Sequence, residues 1–235
     1  MECQIVAVEG RHNLNGMSAK RVKTSAVWKR QRVVTIIPAG ESIPSKVALS
    51  IWNLVYPPNN PTYRMLALGM EVGEAYTQAF QAVLRHPELS GWEYILTIEH
   101  DNMPPADGLL MLIETMDRHP EYTAVSGLYW TKGEGGVPQI WGDPKDPILN
   151  FRPQAPIPDT VQECCGIGMG FALWRIGKLK KGPLPEPLFK TVVGAGGVST
   201  QDLYFWAEAR KHGHRCAVDT RCRVGHYDPE RDIVW

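Results

Sequence analysis

Residues 95–109, ILTIEHDNMPPADGL, combine an apolar strand, a polar turn and the start of a helix. The first four residues suit a central strand, and four polar residues, 99–102, follow at once. Two prolines then close the turn, and apolar residues at helical spacing predict a helix over 107–119. Carboxylates and an imidazole at the end of a buried strand are costly to desolvate without a partner. The stretch therefore predicts a strand end that faces a ligand.

Strand and helix patterns alternate along the chain around this stretch. The segments are strands at 33–40, 63–69, 92–98 and 122–130, and helices at 45–56, 71–85 and 107–119. This alternation predicts an α/β fold with a Rossmann-like, mostly parallel central sheet flanked by helices. Further along, residues 161–177 predict a strand, a glycine-rich turn and a short helix. Residues 199–213 predict a last helix, and short strands are expected to end the chain.

The composition is that of an ordinary globular protein. Of 235 residues, 43% are hydrophobic and 21% are charged, and the formal net charge is zero. This balance excludes a strongly basic nucleic-acid coat protein and an acidic tail protein. No apolar run approaches the roughly 20 residues that span a bilayer, and the N-terminus lacks a signal-peptide pattern. We therefore expect a cytoplasmic protein without a transmembrane segment, and five cysteines without a CxxC pair indicate reduced thiols.

The first 32 residues are poorly patterned and differ in charge from the rest of the chain. Between residues 11 and 32 there are seven basic residues and no acidic one. Such a run is usually a solvated segment, and a phosphate-binding role is the alternative. The sequence thus predicts a basic N-terminal arm over residues 1–32, followed by a single domain over residues 33–235.

Glu99 and Asp101 are the first candidate site residues, because they follow the third predicted strand. Ligands of parallel α/β sheets bind beyond the carboxyl ends of the strands. Two carboxylates one residue apart can face the same Mg²⁺ or Mn²⁺, which would bridge the phosphates of a nucleotide. The equally weighted alternative is that Asp101 or Asn102 satisfies backbone donors in the turn. If the last strand returns beside the third, His226 joins Asp101, and that pair suits manganese.

Two further motifs have both structural and functional interpretations. In STQD, Ser199 and Asp202 have the spacing of a capping box, and Asp202 is also a candidate general base at a helix start. In GIGMG, residues 166–170, the glycines either let the backbone approach a sugar or phosphate or supply positive φ. Three tryptophans are candidates for stacking on a sugar or base, although core packing is their commoner role: Trp130, Trp141 and Trp174.

Taken in order, these segments resemble the GT-A fold glycosyltransferases, and are similar to the family 2 type and to compact bacterial and phage members. The resemblance covers roughly residues 33–228. It rests on VVTIIPAG, ILTIEHDNMPPADGLLMLI, AVSGLYW, GIGMGFALWR, and STQDLYFWAEARKHGHR with GHYD after it. The family implies a nucleotide-sugar-binding half over residues 33–130 and an acceptor-side half over residues 131–235.

The resemblance also implies roles for individual residues. Asp101, His226 and Glu99 match the metal-binding positions, with Mn²⁺ or Mg²⁺ as cofactor and a nucleotide-sugar donor, expected to be UDP-linked. Asp202 matches the base that deprotonates the acceptor hydroxyl in inverting members. The donor would be bound by Pro38, Ala39, Gly40, Glu99 and His100. The acceptor or sugar would be bound by Trp130, Trp141, Gly168, Met169, Gly170 and Gln201.

Departures from the family pattern keep other functions open. Glu99 replaces the usual first aspartate, and Gln201 stands where glutamate commonly precedes the base. A catalytically inactive nucleotide- or glycan-binding protein of the same fold is one alternative. A nucleotidyltransferase is another, although no basic residue follows the first strand until Lys46. The acceptor could be a glycan, a lipid-linked sugar, a protein, a small molecule or a hydroxylated base in phage DNA, and the stereochemistry stays open.

Overall fold

The structure is a computed structural model that describes residues 4–10, 31–58, 61–194 and 197–235. Its strands are β1 (Gln4–Gly10), β2 (Val33–Ala39), β3 (Thr62–Leu68), β4 (Tyr94–Ile98), β5 (Asn102–Met103), β6 (Ala124–Leu128), β7 (Ile140–Trp141), β8 (Val161–Cys164), β9 (Gly166–Ile167), β10 (Phe171–Arg175), β11 (Val192–Gly194), β12 (Gly197–Ser199), β13 (Cys216–Arg223), β14 (Gly225–Asp228) and β15 (Ile233–Val234). Its helices are α1 (Ser45–Trp52), α2 (Val72–Arg85), α3 (Gly108–Arg118), α4 (Ile176–Leu179) and α5 (Gln201–Ala209).

An eight-stranded sheet in the order β1-β3-β2-β4-β10-β6-β13-β8 forms the centre of the fold. Strands β2, β3, β4, β6 and β13 point the same way, whereas β1, β8 and β10 point the opposite way. The predicted α/β class with a mostly parallel central sheet is therefore confirmed. Because β2 and β4 are parallel neighbours, their carboxyl ends meet at one edge of the sheet.

Helices cover both faces of this sheet. On one face, α2 and α5 pack around Trp174 of β10, with Tyr76, Phe80, Phe205 and Trp206 in the same apolar cluster. On the other face, α1 and α3 contribute Val47, Ile51, Leu109, Leu112, Ile113 and Met116. Burying one such side chain contributes about 1.5–3 kcal/mol, so the two layers hold the helices firmly against the sheet.

Helix α3 shows why the local pattern predicts these elements well. Its buried residues recur at the i, i+3, i+4 and i+7 positions: Leu109, Leu112, Ile113 and Met116. His119 precedes Pro120 and has φ −124° and ψ 73°, outside the helical region, which a residue before proline avoids. The helix is therefore one residue shorter at each end than the predicted 107–119.

Residues 171–175 form a strand where the sequence predicts a short helix after the glycine-rich turn. Strand β10 inserts antiparallel between β4 and β6 and pairs with both. Four of its five residues are buried, and Trp174 stacks on Trp206 with ring centroids 5.5 Å apart. A strand covered on both faces shows no alternation, so its apolar run resembles a buried helix. Only α4, which is four residues long, is helical here.

The N-terminal residues differ in part from the predicted basic arm. Strand β1 pairs antiparallel with β3 along its whole length, so residues 4–10 belong to the sheet. Arg32 also belongs to the folded domain, since its Nη2 lies 2.9 Å from Glu93 Oε1. The other six basic residues of the arm fall within 11–30, which lie outside the described residues. The phosphate- or DNA-binding role considered for these six residues therefore also falls outside the described residues.

Two further predictions from the sequence concern reduced cysteines and the lack of a transmembrane segment. The described cysteines, Cys164, Cys165, Cys216 and Cys222, are free and buried, whereas Cys3 lies outside the described residues. Among the helices of the described segments, none combines the length and the apolar content that crossing a membrane requires.

Candidate functional site

Four chain segments meet at the carboxyl edge of the parallel strands. Residues 38–40 lie at the end of β2, 99–101 follow β4, and 130–132 follow β6. Because β10 runs antiparallel, the residues that precede it, 168–170, reach the same edge. The backbone N–H of Glu99 donates to the carbonyl of Gly170 at 3.1 Å and joins two of these segments. This is the edge at which α/β proteins bind ligands.

A cleft of about 300 Å³ opens at this edge. It is lined by Pro38, Ala39, Gly40, Met70, Val72, Glu99, His100, Asp101 and Gln201. All five residues predicted to bind the donor are in this set, including Glu99, which is also a predicted metal ligand; Asp101, a second predicted metal ligand, and Gln201, a predicted acceptor residue, complete it. Met70 and Val72 are missing from the sequence prediction. Their position directly after β3, a parallel neighbour of β2, is the signal that points to them.

Asp101 and His226 meet at the mouth of the cleft, as the sequence predicts if the last strand returns beside the third. Strand β14 pairs with β5, and His226 stands opposite Asn102 in that register. Its Nε2 lies 3.3 Å from Asp101 Oδ2. Its Nδ1 lies 2.7 Å from the carbonyl oxygen of Trp130, which can only accept, so Nδ1 carries a proton and donates. The imidazole is therefore oriented with Nε2 toward the carboxylate.

Lys132 is a site residue that the sequence analysis missed. Its Nζ lies 2.5 Å from Asp101 Oδ2, the same oxygen that faces His226. Burial alone would raise the pKa of Asp101, but hydrogen bonds from His226 and Lys132 outweigh it and hold that pKa well below its usual range. The available signal was position, because Lys132 follows the carboxyl end of a parallel strand, as Asp101 does.

Glu99 lies in the cleft close to two other carboxylates. Part of the residue is accessible, but its carboxyl is surrounded by protein, and burial is the main cause that raises its pKa to about 8. The nearby carboxylates of Asp101 and Asp202 raise it further. At neutral pH, without a bound cation, the Glu99 carboxyl is therefore mostly protonated and can donate a hydrogen bond.

Asp202 occupies the first turn of α5, whose N-cap is Thr200. Phe205 and Trp206, both in the core, follow Asp202 by three and four residues and therefore lie on the same face of α5. The exposed fraction of Asp202 is only 6%. Its Oδ1 accepts hydrogen bonds from the Thr200 hydroxyl and, at 2.8 Å, from the backbone N–H of Leu203. Burial raises the pKa of Asp202 despite these bonds. A buried carboxylate with a raised pKa is suited to accept a proton.

The capping box predicted from Ser199 and Asp202 is not the arrangement at this helix start. The N-cap is Thr200, one residue later than the pattern requires. Asp202 bonds to the hydroxyl of that residue instead, so its position in the first turn is fixed by a neighbouring side chain. The structural and functional interpretations of Asp202 remain compatible, because the bonds that fix it engage Oδ1.

Asp101 and His226 form a donor pair that fits a divalent cation. A histidine that ligates metal usually donates its other ring N–H to a carbonyl or carboxylate, as His226 donates to Trp130. Magnesium and manganese are often held by one or two protein ligands, with phosphate oxygens and waters completing the shell. Within the described residues no three His, Cys, Asp or Glu side chains come together as a metal cluster, so Glu99 is not brought in as a third ligand.

The glycine-rich turn before β10 packs against protein rather than lining the cleft. A Cβ on Gly168 would lie 2.1 Å from the Tyr129 hydroxyl, and one on Gly170 would lie 2.3 Å from Asn102 Oδ1. The Gly170 N–H also donates to the Tyr129 hydroxyl at 2.8 Å. Met169 is 1% exposed and belongs to the core. Close packing against side chains therefore accounts for these glycines without positive φ, and their predicted contact with a sugar or acceptor stays a prediction.

The three tryptophans considered for stacking have different environments. Trp130 is half-buried against the core, and its carbonyl orients His226. Trp141 is half-buried on β7, and its Nε1 donates to Gln139 Oε1 at 2.9 Å. Trp174 is fully buried within the sheet and cannot stack on a ligand. Only Trp130 belongs to one of the four segments that form the site.

Comparison with known proteins relates the chain through its fold. No protein-family model and no curated protein sequence matches it, whereas 68 chains of solved structures do. A197 from STIV is 16% identical, with a TM-score of 0.60 over 87% of this chain and 93% of that one. TarS 1-349 from S. aureus is 14% identical, with a TM-score of 0.48 over 83% of this chain and 59% of that one. At 16% identity the likeness to A197 shows a shared α/β fold and nothing of activity.

Proposed function

We propose that this chain is a glycosyltransferase that moves a sugar from a nucleotide-diphosphate sugar, with UDP as the expected nucleotide, to an acceptor hydroxyl. The observation that carries the proposal is the convergence of three groups at one cleft. These are the end of β2 at 38–40, Asp101 with His226, and the start of α5 with Asp202. They provide, respectively, a place for the nucleotide, for the diphosphate and for activation of the acceptor.

The nucleotide is assigned to the end of β2, where backbone and small side chains line the cleft. A Cβ on Gly40 would meet nothing within 4 Å, so a planar base has room to approach the chain there. Glu99 lines the same cleft with a carboxyl whose pKa, about 8, keeps it mostly protonated at neutral pH. It would donate a hydrogen bond to an oxygen of the nucleotide.

The diphosphate is assigned to the mouth of the cleft beside Asp101 and His226. When bound there, Mn²⁺ or Mg²⁺ would supply charge stabilisation to the leaving diphosphate. Asp101 Oδ2 and His226 Nε2 are the atoms that would hold it. Asp101 stays ionised at neutral pH because its pKa is held well below the usual range. The Trp130 carbonyl keeps the imidazole turned toward that carboxylate.

Asp202 is assigned the role of general base. As the acceptor oxygen attacks the anomeric carbon, its proton passes to Asp202, and the bond from that carbon to the diphosphate oxygen breaks. Because Oδ1 is engaged with Thr200 and Leu203, Oδ2 is the oxygen that receives the proton. General base catalysis of this kind contributes roughly 10²–10⁴-fold in rate.

The test is release of free nucleoside diphosphate from a panel of sugar nucleotides, with manganese or with chelator. Wild type should turn over one donor slowly with water and faster with its acceptor, drawn from glycans, lipid-linked sugars, proteins, small molecules and DNA with hydroxylated bases. Asp101→Asn should lose the response to manganese, whereas Asp202→Asn should bind donor but lose transfer. Glu208→Gln is the matched control, because Glu208 lies on α5 in an exposed pair with Lys211.

The outcomes separate the alternatives. Failure of calorimetry to detect binding of any sugar nucleotide would contradict the proposal. Tight binding of one nucleotide without turnover on any acceptor would favour a catalytically inactive binding protein of the same fold. Transfer of a nucleotidyl group, detected as released pyrophosphate, would favour a nucleotidyltransferase.

A further inference from the structure

Lys132 and His226 share one oxygen of Asp101. The ammonium lies 2.5 Å from Asp101 Oδ2, and the imidazole Nε2 lies 3.3 Å from the same atom. The Asp101 side chain is 15% exposed and that of Lys132 is 32% exposed, so the ammonium approaches from the solvent side. Asp101 thus has a cation on the oxygen that a metal ion at this site would use.

The cleft has an excess of acidic over basic groups. Glu99 and Asp101 line it, Asp202 is near enough to raise the pKa of Glu99, and its lining residues within the described segments include no lysine or arginine. Glu99 is mostly protonated at neutral pH, but Asp101 is ionised, and a nucleoside diphosphate would bring further negative charge beside it. Its binding therefore requires positive charge at the cleft mouth, where Lys132 already contacts a site residue.

We propose that Lys132 competes with the divalent cation for Asp101 Oδ2 and, once displaced from it, binds the diphosphate of the donor. This inference deepens the proposed function and rests on it for the diphosphate. It gives Lys132 two roles that nothing in the sequence pattern assigned. The ammonium neutralises Asp101 when it is bound to it, and serves as a donor-binding group when it is released.

Geometry and charge make the two contacts exclusive. A metal ion bound to Oδ2 at about 2.0–2.2 Å would stand within a few ångströms of an ammonium on the same oxygen, where like charges repel strongly. The lysine side chain can respond, because its charge sits on a flexible four-carbon stem with three donors. Phosphate oxygens that complete the metal's shell would lie within reach of the displaced ammonium. Lysine is well suited to bind them.

The proposal predicts changes of opposite sign in the full-length Lys132→Met variant. Removing the ammonium frees Asp101, so affinity for Mn²⁺ alone, measured by electron paramagnetic resonance, should rise about tenfold or more. Affinity for UDP at saturating Mn²⁺, measured by calorimetry, should fall about tenfold or more, as expected for loss of a charge-assisted hydrogen bond. Lys132→Arg keeps the charge and should stay near wild type in Mn²⁺ affinity.

Lys181→Met is the matched control. Lys181 is exposed and follows α4, and α4 follows the end of β10 that lies opposite the cleft. It should leave both affinities unchanged. The thermal midpoint of Lys132→Met should fall only slightly, because Lys132 lies outside the core clusters and His226 still faces Asp101 in the variant.

Each arm can overturn the proposal. If Mn²⁺ affinity of Lys132→Met equals or falls below that of wild type, or if neither protein binds Mn²⁺, the competition is wrong. If UDP affinity at saturating Mn²⁺ is unchanged, the diphosphate role is wrong. Should wild type bind none of UDP, GDP and ADP, the proposed function fails, and the Mn²⁺ arm still decides the competition.

Discussion

His226 Nε2 lies 3.3 Å from Asp101 Oδ2 because β14 pairs with β5 and places His226 opposite Asn102. The backbone N–H of Tyr227 also donates to the carbonyl of Asp101 at 2.7 Å. The turn after β4 and strand β14 therefore form one hydrogen-bonded unit. Because that unit supplies both members of the pair proposed to bind metal, the proposed metal binding would depend on how β14 docks against the sheet edge.

The first prediction concerns His226→Gln. Glutamine can donate to the Trp130 carbonyl, but it offers no imidazole nitrogen beside Asp101. Affinity for Mn²⁺ should fall by at least the roughly 10–100-fold that loss of an outer-shell partner alone costs. A titration followed by electron paramagnetic resonance measures it, with His212→Gln, an exposed residue in the turn after α5, as control. Equal Mn²⁺ affinity of His226→Gln and wild type would show that His226 is not a ligand.

The second prediction separates catalysis from stability at Asp202. Burial raises the pKa of Asp202 in the folded chain, so the folded protein holds the carboxyl proton more tightly than the unfolded chain does. The free energy of unfolding therefore falls as pH rises from the unfolded pKa to the folded pKa. Asp202→Asn removes the buried charge and keeps an acceptor for the Leu203 N–H. Its thermal midpoint at pH 7 should equal or exceed that of wild type, while transfer falls roughly 10²–10⁴-fold.

Thermal unfolding across the pH range and a transfer assay test this. The difference in midpoint should narrow as pH falls and the raised pKa of Asp202 lets the wild-type carboxyl take up its proton. A variant less stable than wild type at neutral pH would mean that Asp202 is chiefly a structural residue of α5.

Local pattern was sufficient for elements that bury one face. Helix α3 lies within one residue of its prediction at each end, because apolar spacing and Pro120 act within a few residues of each other. Strand β10 was not predictable in this way. Four of its five residues are buried and the strand pairs with a neighbour on each edge, so no alternation distinguishes it from a buried helix. Only knowledge of the sheet order reveals the gap between β4 and β6 that they fill.

Site residues, too, could be predicted where local sequence positions them and could not where the order of the strands in the sheet does. Residues 38–40 and 99–101 directly follow clear strands, so the general position of ligands in α/β folds was enough to find them. Lys132 also follows a strand, but β10 separates that strand from β4 in the sheet. Its contact with Asp101 depends on this order, which spacing along the chain does not encode. The glycines of the turn before β10 are explained only by Tyr129 and Asn102, which pack against them in the folded chain.

The third prediction concerns the close contact of Gly168 with Tyr129. A methyl group on Gly168 would lie 2.1 Å from the Tyr129 hydroxyl, so Gly168→Ala should cost about 1–3 kcal/mol through overpacking. Tyr129→Phe removes the nearer of two clashing oxygens, the other being Gln139 Oε1 at 2.8 Å, but it leaves the Gly170 N–H without its acceptor. The double variant should therefore be less destabilised than the sum of the single variants by about 0.5–3 kcal/mol.

Urea unfolding of the four proteins of this cycle provides the measurement. Gly177→Ala is the control, because a Cβ on Gly177 would meet nothing within 4 Å and the residue lies in α4, so its stability should equal or exceed that of wild type. Strict additivity of the two changes would show that the turn relaxes away from Tyr129 and that the contact does not require glycine.

The fourth prediction concerns the buried carboxylate of Asp219 on β13. Its Oδ2 accepts from Arg221 Nη2 at 2.7 Å and from the Thr115 hydroxyl at 2.5 Å. Burial alone would raise the pKa of Asp219, but the hydrogen bonds from Arg221 and Thr115 outweigh it and lower that pKa. A pKa lower in the folded than in the unfolded chain means that the ionised carboxylate stabilises the fold. That stabilisation is present above the unfolded pKa and is lost as pH falls through the folded one.

Asp219→Asn should therefore lower the free energy of unfolding at pH 7 by about 1–3 kcal/mol, because it removes a charged acceptor from the Thr115 hydroxyl and three N–H groups of Arg221. The difference from wild type should shrink as pH falls below about 4, where aspartate in the unfolded chain takes up its proton. Urea unfolding at several pH values measures both effects. Asp232→Asn, which breaks an exposed pair with Lys46, should change stability less at every pH. A gap between Asp219→Asn and wild type that stays constant into the acid range would mean that packing, not charge, makes Asp219 important.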